Sequence, residues 1–140
     1  MRKSRKRADI FYFDMGPWPF YCGVVISPAA WSREMKRLKV PDHPFMASGH
    51  AVATAHWITR PDKAAIGMIA LDLPNKKLPP DLLAGRVAHE AVHLLHRLQE
   101  WINQGEGLGD EAEAYLVGYI VRNCMNAARH RVAGHAAVPE

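Results

Sequence analysis

The sequence predicts a small α+β domain, with a short sheet in the first half of the chain and two long helices in the second half. Residues 10–73 contain short runs rich in aromatic and β-branched side chains, separated by Gly, Pro and Asp, which is the pattern of strands joined by turns. Residues 82–130 repeat apolar side chains every three or four positions, which is the period of an amphipathic helix. A chain of 140 residues, 49% of them hydrophobic and 23% charged, is long enough to bury one core.

The first three predicted elements are two strands and a helix. Residues 10–14 and 20–26 flank a Gly-Pro-Trp-Pro segment, which predicts two strands around a turn. Ser27 and Pro28 match a helix N-cap followed by proline at the first helical position. Apolar residues then recur at helical spacing as far as a Val-Pro pair. The pattern predicts a helix over residues 28–38.

The remaining elements are two strands and two helices. Residues 51–59 alternate loosely between polar and apolar side chains, as in a half-exposed strand, whereas residues 64–73 are almost continuously apolar, as in a more buried strand. Apolar side chains recur at helical spacing over residues 82–102 and again over residues 110–130. The expected N-caps of these two helices are Asp81 and Asp110, with Glu113 reaching back to Asp110.

The net charge of +4 originates at the N-terminus. Five of the 18 Lys and Arg residues lie within residues 2–7, and the rest of the chain carries 13 basic against 14 acidic groups. The body of the protein is therefore not a basic nucleic-acid-binding module. We predict a disordered basic tail over residues 1–8, a single domain over residues 9–132 and a C-terminal tail over residues 133–140.

The sequence also bears on the compartment. No apolar run reaches the roughly 20 residues of a membrane-spanning helix, and no signal-peptide apolar stretch follows the basic N-terminus. Cys22 and Cys124 lie far apart and belong to no CxxC pair, which argues against a disulfide framework and against a cysteine-rich zinc module. We therefore expect a cytoplasmic protein with reduced thiols and no membrane partner. The oligomeric state stays open.

Residues 89–93 read His-Glu-Ala-Val-His, an HExxH motif within the helix predicted over residues 82–102. Residues four apart lie on one face of a helix, so the imidazoles of His89 and His93 can converge on one tetrahedral metal ion. Glu90 can then act as a general base toward a water on that metal. A chain of this composition would contain about 0.02 such motifs by chance. The motif predicts a zinc-dependent hydrolase.

A catalytic zinc needs a third protein ligand. His96 shares the helix face, but it lies about 10.5 Å from His89 along the helix axis, too far for both to bind one ion. His96 is therefore expected beside the ligands or at the surface. The metzincin motif, HExxHxxGxxH, requires a histidine where this chain has Gln99 and a glycine where it has His96, so the metzincin class is excluded.

The third ligand is expected from the following helix. Glycines at positions 105, 107 and 109 permit a tight reversal, after which residues 110–115 bring carboxylates back alongside the HExxH helix. This arrangement resembles the gluzincin class of zinc peptidases, in which HExxH is followed by a glutamate ligand on a later helix, often in an ExxxD or ExxAD context. The resemblance covers residues 82–122, and Glu111 with Ala114 matches the ExxA part.

The resemblance implies a zincin-like fold and a zinc peptidase that cleaves a peptide or protein substrate. The residues it assigns are His89, His93 and Glu111 as zinc ligands and Glu90 as the catalytic base. Glu113 and, after it, Glu106 are the alternatives to Glu111. Tyr115 stands where the family often has an aspartate that orients a ligating histidine, so Tyr115 or Asp110 is expected to take over that task.

The resemblance also implies where a substrate would bind. Gluzincins place a sheet edge strand beside the metal, and a peptide lies along that strand. Residues 51–59 are the best match to such a strand, and its expected substrate-binding residues are Val52, Thr54 and His56. A donor for the oxyanion is implied as well. The candidates for this donor are Tyr119, His50, His56 and His130.

Two other functions are consistent with the sequence. The first is a zinc-binding interaction protein without catalytic activity, which would bind zinc and show no turnover. The second is a nucleic-acid-associated factor that binds phosphates through residues 2–7. The second function predicts an affinity that falls steeply with salt and vanishes when the tail is removed.

Overall fold

The computed structural model describes residues 9–40, 43–61, 63–103 and 109–130, and the elements follow the predicted order. The strands are β1 (Ile10–Phe13), β2 (Phe20–Val25), β3 (Ala53–Arg60) and β4 (Lys63–Leu71), and the helices are α1 (Pro28–Arg37), α2 (Pro80–Asn103) and α3 (Asp110–His130). This four-stranded mixed sheet with three helices confirms the predicted α+β class.

Some sequence predictions concern parts of the chain outside the described residues. These are the basic tail over residues 1–8, the C-terminal tail over residues 133–140, and Glu106 with most of the glycine-rich reversal. The end of the predicted domain at residues 131–132 also lies outside them.

The four strands are arranged in the order β1-β2-β4-β3. β1 pairs with β2, and β3 pairs with β4, in antiparallel orientation, whereas β2 and β4 run parallel. A parallel pair needs a crossover connection, and here the chain passes through α1 and β3 before it returns to β4. β3 therefore lies at one edge of the sheet and has β4 as its only strand neighbour among the described residues.

The sheet separates two buried clusters. On one face, α1 packs Trp31 against sheet residues such as Ile66. On the other face, α2 and α3 pack Leu94 and Ile120 against sheet residues such as Val24. The sheet is thus covered on both faces, and α2 lies on the face opposite α1. Within the described part of the chain, no helix combines the length and the apolar character needed to cross a membrane.

The helix starts differ in part from the prediction. Ser27 caps α1 as expected, because its side chain accepts a hydrogen bond from the N–H of Ala30 at 3.2 Å. The predicted cap at Asp81 is wrong, since α2 begins one residue earlier with Pro80, and proline is favoured at the first helical position. The predicted cap at Asp110 is also wrong, because α3 already includes Asp110 and follows Gly109, whose φ is 85°.

Both cysteines are free and fully buried. Cys22 on β2 and Cys124 on α3 belong to the core between the sheet and the two long helices. Burial raises the pKa of both thiols, which keeps them protonated and unreactive. They act as small apolar core residues.

Candidate active site

The HExxH motif lies in the middle of α2, which is oriented by its apolar stripe. Five residues of this stripe are buried: Leu83, Val87, Ala91, Leu94 and Leu98. Because the stripe faces the sheet, His89 and His93 are exposed on the flank of the helix, and Glu90 is half-buried beside them. The helix therefore presents both imidazoles to solvent, and His93 borders the cleft between α2 and β3.

The two imidazoles of the motif approach each other closely. The Nε2 atoms of His89 and His93 are 3.1 Å apart, and the rings lie edge to face with centroids 4.8 Å apart. Two nitrogens that bind one tetrahedral zinc at about 2.1 Å would be about 3.4 Å apart. The observed separation is within about 0.3 Å of this value. Without a metal, one ring can donate its Nε2–H to the other ring's unprotonated nitrogen.

Glu90 makes a contact with the edge of the sheet. Its Oε2 accepts a hydrogen bond from the main-chain N–H of Ala55 on β3 at 2.8 Å. Residue 90 lies about 100° around the helix from His89 and about 60° from His93, and its carboxylate reaches the strand. The contact joins the residue between the two histidines of the motif, in sequence, to the edge strand.

A cleft of about 640 Å³ runs between β3 and α2. One wall carries Ala47, Ala51, Ala53 and Ala55 together with Thr54 and Trp57, and the other wall carries Glu90, His93 and His96. At the far end, Arg97 contacts Glu100 at 3.3 Å, and both side chains are largely exposed. The cleft is therefore open to solvent, and Glu90, the predicted general base, lines it.

The predicted third ligand is not brought to the imidazole pair. Glu111 is exposed and lines a groove on α3 with Tyr115 and Arg122, whereas Glu113 faces α2 with its Oε1 3.6 Å from His96 Nε2. Residues two apart lie about 200° apart around a helix, so only one of the two glutamates can face α2. The geometry thus favours Glu113 over Glu111 as the carboxylate nearer the HExxH helix.

The side chains in the described part of the chain contain no group of three His, Cys, Asp or Glu that could hold a metal ion. The two imidazoles fit a zinc ion in donor type and separation, and they provide two of the three protein ligands expected for a catalytic site. The identity of the third ligand stays a prediction.

The tyrosines predicted near the ligands lie elsewhere. Tyr115 is 76% exposed and borders a groove beside the β1–β2 turn. The hydroxyl of Tyr119 donates to the main-chain carbonyl of Asp14 in that turn, and its ring packs edge-on against Phe13. Neither tyrosine lines the cleft. Both therefore belong to the contact between α3 and the β1–β2 turn rather than to the surroundings of the motif.

The other predicted residues fall into different places. His96 lines the cleft beside His93, and its side chain is 57% exposed. His50 is exposed in the loop that precedes β3, and the side chain of His130 is not among those that the structure describes. Val52 lies before the first residue of β3. The hydroxyl of Thr54 accepts a hydrogen bond from the N–H of Ala47 at 3.0 Å.

His56 is a structural residue rather than a substrate contact. It is 8% exposed, and its ring lies 4.3 Å from the ring of Trp31, on the α1 face of the sheet. Its Nε2 is 2.9 Å from the carbonyl oxygen of Phe45. Burial lowers the pKa of His56 more than the hydrogen bond to Phe45 raises it. The neutral ring therefore donates its N–H to Phe45 and holds the loop over residues 43–50 against β3.

We expect the buried His56 to make folding depend on pH. Its pKa in the folded protein lies below the ordinary value of 6.5, so the unfolded chain binds a proton at a pH where the folded chain does not. The free energy of unfolding should have its full value above about pH 6.5 and fall as the pH decreases from there. Denaturant unfolding of the wild type and His56→Gln between about pH 5 and pH 8 measures this dependence.

The control for this prediction is His50→Gln, because His50 is an exposed histidine in the loop that precedes β3. The pH dependence should be weaker in His56→Gln than in the wild type and unchanged in His50→Gln. The same pH dependence in all three proteins would contradict the role of His56.

Comparison with known proteins finds no match: no family model, no curated protein and no solved structure matches this chain. The resemblance to gluzincins therefore depends on the HExxH motif and on the carboxylates that follow it.

Sequence reasoning missed Ala55 as a residue of the site. Its contribution is a main-chain N–H, which any residue other than proline would provide, so no side-chain pattern could identify it. The sequence did indicate a strand at this position, and the resemblance implied that this strand lies beside the HExxH helix, but neither indicated the contact between Ala55 and Glu90.

Proposed function

We propose that this protein is a zinc-dependent hydrolase, and more specifically a metallopeptidase, in which His89 and His93 hold the metal and Glu90 is the general base. The observation that carries the proposal is the 3.1 Å separation of the two Nε2 atoms. It is supported by Glu90, which lies next to the pair along the helix and at the rim of a cleft.

The chain would contribute binding and proton transfer. A bound zinc would supply Lewis acidity, which polarises a carbonyl and acidifies water. Glu90 would take the proton of the attacking water onto its carboxylate and deliver it to the leaving amine. His89 and His93 hold their positions because the buried stripe of α2 fixes the orientation of the helix against the sheet.

An extended peptide is the substrate that the cleft supports best. β3 is an edge strand, and such an edge offers main-chain N–H and C=O groups to an added strand. The alanines along the cleft leave space for small substrate side chains beside β3. The peptide would thereby lie between the edge strand and the HExxH helix.

We place the reaction in the cytoplasm, because Cys22 and Cys124 are unpaired thiols and a reducing compartment keeps thiols in this state. A nucleic-acid function would depend on residues 2–7, whereas the cleft and the imidazole pair belong to the body of the domain. The zinc-binding protein without activity shares the proposed metal site and differs only in turnover.

The zinc content of the purified, tag-free protein tests the proposal. We expect about one zinc per chain in the wild type, as in other catalytic zinc sites. His93→Ala should lose the metal, because one remaining imidazole holds zinc weakly. Elemental analysis measures the stoichiometry, and His50→Ala is the matched control because it removes an exposed histidine far from the motif in sequence.

The same measurement identifies the third ligand. Loss of zinc in Glu113→Ala but not in Glu111→Ala would assign Glu113, and the reverse result would assign Glu111. Zinc retained in both variants would place the ligand in another part of the chain. If the reconstituted wild type holds no stoichiometric zinc, or if His93→Ala keeps it, the metallopeptidase proposal is wrong.

A further inference from the structure

Ala55, in the middle of the open edge of β3, donates a main-chain hydrogen bond to a side chain of α2. In an antiparallel pair, main-chain polar groups point alternately toward the partner strand and away from it. The N–H of Ala55 donates to Glu90, so this residue points away from β4, although it lies opposite Ile69 in the register. By the same alternation, the main-chain groups of Ala53 and Trp57 point to the open edge as well.

The carboxylate of Glu90 therefore accepts the hydrogen bond from the N–H that would otherwise pair with an added strand. A peptide that pairs with β3 across Ala55 must place a carbonyl oxygen where Glu90 Oε2 now lies, 2.8 Å from the nitrogen. Glu90 is half-buried, and the nearby cation Arg97 contacts Glu100. Among the described residues, the hydrogen bond found for Glu90 is the one to Ala55.

We propose that the hydrogen bond between Glu90 and Ala55 is a latch on the β3 edge, which an incoming peptide strand opens by replacing the carboxylate on the Ala55 N–H. Peptide binding itself thus frees Glu90. The consequence for catalysis relies on the proposed function, in which Glu90 is the general base. The latch itself requires no metal.

The latch has an energetic consequence. A hydrogen bond from an N–H to a carboxylate is stronger than one to a neutral carbonyl. When a peptide displaces Glu90, the Ala55 N–H therefore exchanges a stronger hydrogen bond for a weaker one. The wild-type edge therefore binds peptide less tightly than an edge without the carboxylate. In return, the base is held against the strand until a peptide occupies the cleft.

Amide hydrogen exchange tests the contact directly. Exchange is measured by NMR on the full-length protein, both as purified and after chelation, for the wild type, Glu90→Ala and Glu90→Gln. We expect the Ala55 amide to exchange at least about tenfold faster in Glu90→Ala, because an unbonded edge amide is open to solvent. In Glu90→Gln, the exchange rate of the Ala55 amide should lie between those of the wild type and Glu90→Ala, because the side-chain amide oxygen can still accept the hydrogen bond.

Two controls separate the latch from a general loss of stability. Glu100→Ala removes another glutamate of the same helix, which contacts Arg97 rather than the strand, and it should leave the exchange of Ala55 unchanged. The Ile69 amide on the neighbouring strand serves as the internal reference in every variant. If amide exchange at Ile69 becomes faster by the same factor as at Ala55 in Glu90→Ala, the substitution lowers the stability of the whole domain, and the latch is not supported.

A peptide titration tests the displacement. The probe is a capped hexapeptide of four alanines flanked by lysines, chosen because small side chains fit beside the four alanines that line the cleft. It is added to chelated protein, and binding is followed through the Ala55 amide signal. We expect Glu90→Ala to bind this peptide at least about fivefold more tightly than the wild type, since no charged acceptor has to be displaced.

Three results would overturn the latch. They are an unchanged Ala55 exchange rate in Glu90→Ala, equal peptide affinity in the wild type and Glu90→Ala, and no binding of the peptide by Glu90→Ala. The zinc analysis is independent of all three. If the wild type binds no zinc but Glu90→Ala shows faster Ala55 exchange and tighter peptide binding, the latch is supported and the metallopeptidase proposal is wrong. If the wild type binds zinc but Glu90→Ala shows neither effect, the latch is wrong and the metallopeptidase proposal stands.

Discussion

Glu90→Gln is expected to lower the rate of peptide hydrolysis by about 10²- to 10⁴-fold, the usual contribution of a general base. The amide has nearly the shape of the carboxylate but cannot take up a proton at neutral pH. It can still accept the hydrogen bond from Ala55, so the fold and the imidazole pair should be retained. The rate is measured by mass spectrometry on a peptide library and is normalised to the zinc content of each preparation.

The control for this variant is Asp81→Asn, which also replaces a carboxylate of α2 by an amide, but in the exposed first turn of the helix. It should hydrolyse peptides at the wild-type rate. Hydrolysis by Glu90→Gln within tenfold of the wild type would exclude Glu90 as the base. Stoichiometric zinc without turnover in the wild type would instead favour the inactive zinc-binding protein.

Trp31→Ala is expected to lower the free energy of unfolding by about 3–5 kcal/mol, the usual cost of truncating a buried tryptophan. The side chain of Trp31 is 3% exposed and packs against His56 and Phe45. Its Nε1–H donates to the main-chain carbonyl of His43 at 2.7 Å. The substitution therefore leaves a cavity and an unpaired carbonyl, and denaturant unfolding measures the loss.

Trp101→Ala is the matched control, because the same side chain is removed from a position that is 43% exposed. Trp101 packs edge-on against Trp57, and the loss of such an aromatic pair should cost about 1 kcal/mol. Equal losses in Trp31→Ala and Trp101→Ala would show that the α1 face of the sheet is not the tightly packed cluster described above.

Trp31 also matters for the cleft. The loop over residues 43–50 is held by Trp31, Thr54 and His56, and this loop contributes Ala47 to the cleft wall. A core residue on one face of the sheet thus supports the border of the site on the other face. Loosening of this loop should accompany the loss of stability in Trp31→Ala.

The sequence by itself determined the order and type of all seven elements, and most boundaries within two residues. These features depend on local signals, because the alternation of strands and the 3.6-residue period of helices are visible in short windows. The pairing of His89 with His93 is equally local, since residues four apart on a helix are neighbours whatever surrounds them. The imidazole pair is therefore the part of the site that the sequence predicted.

The tertiary structure alone decided which groups meet across the fold. It set the rotation of α3, which turns Glu113 rather than Glu111 toward α2, and it buried His56 behind the sheet. It also brought Glu90 to the N–H of Ala55, 35 residues earlier in the chain. These contacts depend on strand order and on how the helices pack against the sheet. They result from many long-range contacts together, which no short stretch of sequence encodes.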